Sequence, residues 1–194
     1  MHGLRQNKFR KIVVATGAGV SVSAGIPDFR SPGTGLYDNL QKYDLPNPQA
    51  IFDLDYFREK PEAFYNLAAE FLDLDRFVPT PAHYFIKMLA DKGLLQRAFT
   101  QNIDSLEAKT GIDMQKKVIQ AHGANRGAVC SQCGEHHDPQ ELQEKIRRRE
   151  VMRCQKKQES SGEVCNGPIK PEITFFGESL PPHFFEGIKY INNV

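Results

Sequence analysis

Apolar residues fall along this chain in two alternating rhythms. Lys11-Ile12-Val13-Val14-Ala15 is a short β-branched run with no polar alternation, the pattern of a strand buried on both faces. Leu94–Thr100 and Lys117–Ala121 have the same strand character. Between them the period is helical. In Pro61–Leu72, Phe64, Leu67, Ala68, Phe71 and Leu72 line one face, with Pro61 in the first turn. Thr80-Pro81 opens a helix over Ala82–Asp91, with Tyr84, Phe85, Met88 and Leu89 on its apolar side, and Lys92-Gly93 closes it. Gln49–Asp53, Asp55–Glu59 and Ser105–Lys109 read as shorter pieces, and Asp138–Val151 as a polar helix. Strands alternating with helices predict an α/β fold with a doubly wound parallel sheet and right-handed crossovers.

The three strands end in Gly17-Ala18-Gly19, Gln101-Asn102-Ile103-Asp104 and His122-Gly123, all expected on one rim. Open α/β sheets bind ligands at that rim. Gly17 and Gly19 let the backbone turn sharply and approach a ligand. Ser21, Ser23 and Ala24 suit the start of a helix whose free N–H groups could face a phosphate. This is the nucleotide-binding opening of a Rossmann-type unit, although Val22 stands where the third glycine of the fingerprint belongs. Pro27 then stops the helix, and Asp28, Phe29 and Arg30 follow. Breaker clusters at Ser31–Gly35 and Asp44–Pro48 set off a helical insertion at about residues 32–79, whose first loop is expected to close over a cofactor. The boundaries expected are 1–127 for the Rossmann-type part with that insertion, 128–168 for a small module, and 169–194 for a return to the first part.

The small module is marked by cysteine. Cys130-Ser131-Gln132-Cys133 is a C-x2-C knuckle, and Cys154 and Cys165 follow. A tetrahedral zinc on four thiolates accounts for the set. The ten residues between Cys154 and Cys165 are more than the usual two to four, but they are polar and contain glycine, as a solvated loop should be. Lengthening that closure costs only ~1.4 kcal/mol of loop entropy. A structural zinc supplies ~10–16 kcal/mol in small modules. His136 and His137 are alternative ligands for the distant pair. The run Lys145–Arg149 reads as a solvated face, with a partner surface as the minor alternative.

Composition narrows the class. Twenty-five basic and twenty-four acidic residues leave a net charge of +1, so nothing points to a nucleic-acid or acidic-membrane partner. No apolar run approaches the ~20 residues of a membrane span. Met1–Lys11 is basic but lacks the apolar core of a secretory signal. Four cysteines without such a signal imply an intracellular, reducing compartment and metal, not disulfides. Cytoplasm or nucleus is expected over the mitochondrion.

The combination GAGVSVSAGIPDFRS, then TQNID, then AHG, resembles the sirtuins, the NAD-dependent protein deacylases, from about Lys11 to Pro182. The resemblance implies removal of an acetyl group from lysine with release of nicotinamide and O-acetyl-ADP-ribose, acting on acetylated-lysine proteins or peptides. It assigns His122 as the base that relays a proton from the nicotinamide ribose. An imidazole suits that task because it titrates near neutrality. Gln101 and Asn102 would orient the ribose and the attacking water; Ile103 and Asp104 would hold the carboxamide. Ala18, Gly19, Ser21 and Arg30 would meet the diphosphate, with Val22 and Asp28 in the same cofactor-binding set. Phe29 would shield the reacting centre from water. Ile169–Glu178 looks like the strand that pairs with the substrate peptide through an open backbone edge. Asn125 stands where close relatives carry an aromatic lining the acyl-lysine channel, and Leu36, Tyr37 and Leu40 are apolar enough for an acyl chain.

Past Leu180-Pro181-Pro182 the family pattern stops, so the expectation is a C-terminally truncated sirtuin, weakly active or inactive alone. Two other readings compete: a non-catalytic decoy or regulator, and an NAD-dependent oxidoreductase. The oxidoreductase needs a ribose-binding acid ending a second strand. Asp38 has the spacing but no strand before it.

Overall fold

The three β-branched runs form one parallel sheet, and the rest of the chain is arranged around it and around a cysteine cluster. The computed structural model describes residues 9–71, 74–158 and 162–192. In chain order come strand β1 (Ile12–Thr16) and helices α1 (Leu54–Glu59), α2 (Pro61–Phe71) and α3 (Pro81–Asp91). Strand β2 (Leu95–Thr100) leads to short helices α4 (Leu106–Lys109) and α5 (Met114–Lys117). Then follow β3 (Val118–Gln120), β4 (Gly123–Cys130), α6 (Pro139–Arg147), β5 (Ile169–Ile173) and α7 (Pro182–Asn192). The chain divides into two compact units. One comprises Met1–Phe29, Asp75–Gly123 and Leu180–Val194; the other comprises Arg30–Leu74 and Ala124–Ser179.

In the first unit the sheet order is β1-β2-β3, with both pairings parallel. Thr16, Thr100 and Gln120 are in register, so the three strands end on one line. One face carries Ile12, Val14, Leu95, Ala98 and Val118, packed with Ile86 and Leu89 of α3 and with Ile112. The other carries Phe99 and Ile119, against which α7 lays Gly187. A Cβ there would stand 3.0 Å from Ile119 and 3.2 Å from Phe99, so the helix approaches this closely only with glycine.

Three sequence expectations change here. No regular helix starts at Ser21. Two 3-10 turns, Ala18–Val20 and Val22–Ala24, end at Gly25 in a left-handed conformation (φ 93°). Glycine, serine and valine are weak helix formers, and Ser21 is drawn inward by Asp104. Helix α3 is rotated from the expected face: Tyr84, Phe85 and Met88 are exposed, while His83, Ile86 and Leu89 are buried. The rotation follows from its N-terminus, where a capping box with Thr80 pulls His83 inward. Helix α7, in a stretch to which the sequence reading assigned no element, forms because Phe184 and Gly187 fit against Phe99.

The second unit is built on aromatic packing. Phe57, Phe64 and Phe175 meet at ring centroid distances of 5.1–5.5 Å, with Phe52 and Tyr65 around them. Phe64, Leu67 and Ala68 of α2 are buried as the helical period predicts, whereas Leu72 lies outside the described residues. Leu36 and Leu40 pack on Ile51 and Leu67, so both are consumed by the core and are not available to an acyl chain. Tyr65 is wholly buried; its hydroxyl donates to the Ile169 carbonyl at 2.6 Å and accepts from the Met152 N–H at 3.1 Å. That one side chain ties α2 to β5 and to the approach to Cys154. Strands β4 and β5 pair in a separate two-stranded sheet.

Candidate active site and metal centre

The rim of the first unit is organised by a chain of polar contacts running from the glycine turn to the loop after β2. The Gln101 N–H donates to the Thr16 carbonyl at 3.0 Å, which carries the line of the sheet into the loop. Asn102 is buried, and its Nδ2 donates to the Gly17 carbonyl and to Ser21 Oγ, each at 3.2 Å. Ser21 Oγ in turn donates to Asp104 Oδ2 at 2.6 Å, while Asp104 Oδ1 accepts from the Leu106 N–H at 2.9 Å. The turn into α4 puts Ser105 in the left-handed region (φ 56°), and Gln120 Nε2 holds its hydroxyl at 3.2 Å. Each oxygen of Asp104 thus has one donor and keeps a lone pair for another.

His122 leaves β3 beside this loop. Its Nδ1 lies 3.0 Å from the Gln101 carbonyl oxygen. A carbonyl only accepts, so Nδ1 carries the proton and, in the neutral ring, Nε2 presents its lone pair. In front of the turn there is room: a Cβ built on Gly17 or Gly19 would meet nothing within 4 Å. That open approach to the backbone fits a diphosphate, although no regular helix N-terminus faces it.

Of the residues expected to bind a cofactor, Ala18, Gly19, Ser21, Val22, Gln101, Asn102, Ile103, Asp104 and His122 are all in this unit. Ser21 departs from its expected role. It is 1% exposed and both its contacts point inward, so its hydroxyl braces Asp104 and Asn102 and does not reach outward to a diphosphate. Val22 and Phe29 are exposed, at 49% and 43%. Asp28 lies in the same unit, while Arg30 begins the other, where its charge acts on the Tyr37 hydroxyl. Sequence reasoning missed the support beneath the rim: Thr80, His83 and Glu107, all buried. The signal was present in Thr80-Pro81-Ala82-His83, a capping-box spacing with histidine in place of glutamate.

In the second unit Cys130, Cys133, Cys154 and Cys165 converge, all four sulfurs lying within 4.8 Å of one another. Cys130 and Cys165 sulfurs are 3.7 Å apart, as are those of Cys133 and Cys154. Tetrahedral zinc with sulfur at ~2.3 Å puts its ligands about 3.8 Å apart, so the set fits that metal. The long spacer is folded back on itself: Lys157 bridges Val164, Gln158 N–H donates to the Glu163 carbonyl, and Cys165 N–H donates to the Lys156 carbonyl. Residues 159–161 lie outside the described part. Gly167 is required at the crossing, because a Cβ there would come within 2.8 Å of the Cys130 sulfur. Burial pushes the Cys154 thiol up to about 12, whereas a backbone N–H from Glu135 lowers Cys133. His136, the alternative ligand, is paired with Glu172 at 2.7 Å.

The expected peptide-pairing edge is partly occupied. Phe176 N–H donates to the Phe52 carbonyl, and its own carbonyl accepts from Leu54 N–H. Phe175 N–H donates to the Glu178 carboxylate at 2.7 Å. Strand β5 ends at Ile173, and an added strand could not use these groups without displacing them.

A family model described as Sir2 family matches residues 17–194. The chain is 51% identical over 177 residues to NAD-dependent deacetylase sir2A of Dictyostelium discoideum, covering 91% of this chain and 33% of that protein. It is 45% identical over 183 residues to NAD-dependent protein deacetylase hst2 of Schizosaccharomyces pombe, covering 94% and 52%. It is 48% identical over 184 residues to NAD-dependent protein deacetylase sirtuin-2 of Danio rerio, covering 94% and 46%. The chain therefore spans about a third to a half of the length of these relatives. With glycine turn, polar rim and four-cysteine centre in one sequence, and a family match over nearly all of it, the chain belongs to the Sir2 family.

Proposed function

We propose that this chain carries the nicotinamide-side machinery of an NAD-dependent protein-lysine deacetylase acting on acetylated-lysine proteins or peptides. The observation that carries the reading is the His122 imidazole, tied through Nδ1 to the carbonyl of Gln101, the residue before the Asn102–Ser21–Asp104 chain begins. NAD, when bound, supplies a ribose carbon that the acyl oxygen attacks as nicotinamide leaves, so the protein needs no side-chain nucleophile.

The protein's own residues divide the remaining work. Asp104 is an ionisable acceptor held on both oxygens, suited to fix the amide N–H groups of a carboxamide. His122 Nε2 takes a proton from a ribose hydroxyl, and the Gln101 carbonyl steadies the imidazolium that results. Asn102 spends its Nδ2 on Gly17 and Ser21, which leaves Oδ1 to orient the ribose or water. Ala18 and Gly19 offer backbone to the diphosphate, with Val22, Asp28, Phe29 and Arg30 completing the cofactor-binding set. Ile103 adds an apolar contact to the carboxamide. Cys130, Cys133, Cys154 and Cys165 would hold zinc, with no open position and no step in the reaction.

Among the described residues no helix is long and apolar enough to cross a membrane. Four free thiols set as ligands support an intracellular reducing compartment, cytoplasm or nucleus. The decisive experiment incubates the purified chain with NAD and an acetyl-lysine peptide. Free nicotinamide with deacetylated peptide supports the reading; NADH without nicotinamide overturns it in favour of hydride transfer.

A further inference from the structure

Beneath the rim the first unit contains a second polar group that the proposed chemistry does not use. His83 of α3, Asp104 of the loop and Glu107 of α4 are 1%, 6% and 2% exposed. A ring nitrogen of His83 and a carboxylate oxygen from each acid lie within 4.8 Å of one another. His83 Nε2 and both oxygens of Glu107 are buried with no hydrogen-bond partner. A buried polar group is costly unless it is paired, so these groups must serve one another.

The proton arrangement follows from the far side of the ring. Thr80 N–H donates to His83 Nδ1 at 3.2 Å, and Thr80 Oγ1 donates to the Val20 carbonyl at 3.0 Å. Because Nδ1 accepts, Nε2 carries the hydrogen and is a donor with no partner of its own. Asp104 already accepts from Ser21 and Leu106, whereas Glu107 has only the looser approach of the Thr100 hydroxyl and its own backbone N–H, neither within hydrogen-bond geometry. An ionised Glu107 beside an ionised Asp104 would repel it in a dry site. A protonated Glu107 resolves both problems at once, accepting from His83 Nε2 and donating to Asp104.

We propose that Glu107 is a positioning residue: in its protonated form, beside His83, it braces Asp104 and keeps that carboxylate aimed at the rim. Hydrogen bonds run from Val20 through Thr80 to His83 and from Asp104 through Ser21 to the glycine turn, and Glu107 stands between the two arms, within 4.8 Å of His83 and Asp104. The titratable groups facing Glu107 are His83 from α3 and Asp104 from its own loop. Burial pushes the Glu107 carboxyl up; its own backbone N–H and the Thr100 hydroxyl oppose this, the Asp104 charge adds to it, and His83 opposes it.

This inference rests on the deacetylase reading only for what Asp104 does. The test therefore begins with a measurement that needs no activity. Infrared spectra at about pH 6, where ordinary carboxyls are ionised, should show a protonated-carboxyl band in the wild type that Glu107→Gln lacks. Absence of that band overturns the proposal. So does a second equivalent of bound metal that Glu107→Gln loses, which would assign the cluster to a cation. For positioning, calorimetric NAD affinity should be within a few-fold of wild type in Glu107→Gln, which keeps a neutral donor and acceptor. In Glu107→Ala it should fall by about tenfold or more. Equal affinity in all three proteins overturns the positioning role while leaving the deacetylase reading intact. If the wild type binds no NAD, that reading fails, and the infrared result alone decides whether Glu107 holds the proton.

Discussion

His122 Nδ1 and the Gln101 carbonyl, 3.0 Å apart, join the ends of β3 and β2 and fix which imidazole nitrogen is basic. Replacing His122 by alanine removes the base but not the Asn102–Ser21–Asp104 chain that shapes the rim. His122→Ala should lower kcat by about a hundredfold or more with NAD affinity changed only a few-fold. Steady-state kinetics beside calorimetric NAD binding checks this, and an active His122→Ala would refute the role of base.

For the metal centre the expected result is one zinc per chain. Cys165→Ala leaves three thiols around a position built for four, and the metal's binding energy is folding energy for this module. The variant should lose zinc and solubility together, and a chelator should lower the thermal midpoint of the wild type. Full zinc content in Cys165→Ala would overturn the four-sulfur assignment.

Glu107 also makes stability depend on pH in a definite direction. Its folded pKa is raised above the unfolded value, so between the two the native state holds more protons than the unfolded chain. Stability then falls as pH rises through the folded value, and its contribution is complete only below the unfolded one. Glu107→Gln removes that ionisation. Urea unfolding across this range should show the variant gaining on the wild type as pH rises; a constant difference would contradict the shift.

Much of the sheet was legible because a strand covered on both faces leaves an unbroken β-branched run, as Ile12–Val14 and Val118–Ile119 do. The site's rim was legible for the same reason, since polar residues directly after such runs sit at strand ends. Long-range polar contacts leave no local period. Nothing near Glu107 announces His83, and nothing near Ser21 shows that its hydroxyl turns to Asp104, 83 residues away. Strand β4 escaped notice because Gly123–Cys130 mixes Asn125, Arg126 and Gly127 with apolar positions and pairs with distant β5. Helix α3 turns Tyr84, Phe85 and Met88 outward and keeps only Leu89 of the expected apolar side buried, because the capping His83 decides its rotation and leaves no apolar signal.

Strand β1 stands at the end of the order β1-β2-β3, with no pairing on its outer edge among the described strands. Helix α7 covers Phe99 and Ile119 on one face but leaves Val13, in register with Arg97 on that face, 42% exposed. On α3, Tyr84, Phe85 and Met88 are also 40% exposed or more. An open strand edge flanked by apolar side chains is a template for pairing with another chain. The chain should therefore associate as concentration rises. Val13→Lys, which places a charge on the edge strand, should shift the light-scattering mass toward the monomer. A wild-type chain that is monomeric at every concentration would contradict this account.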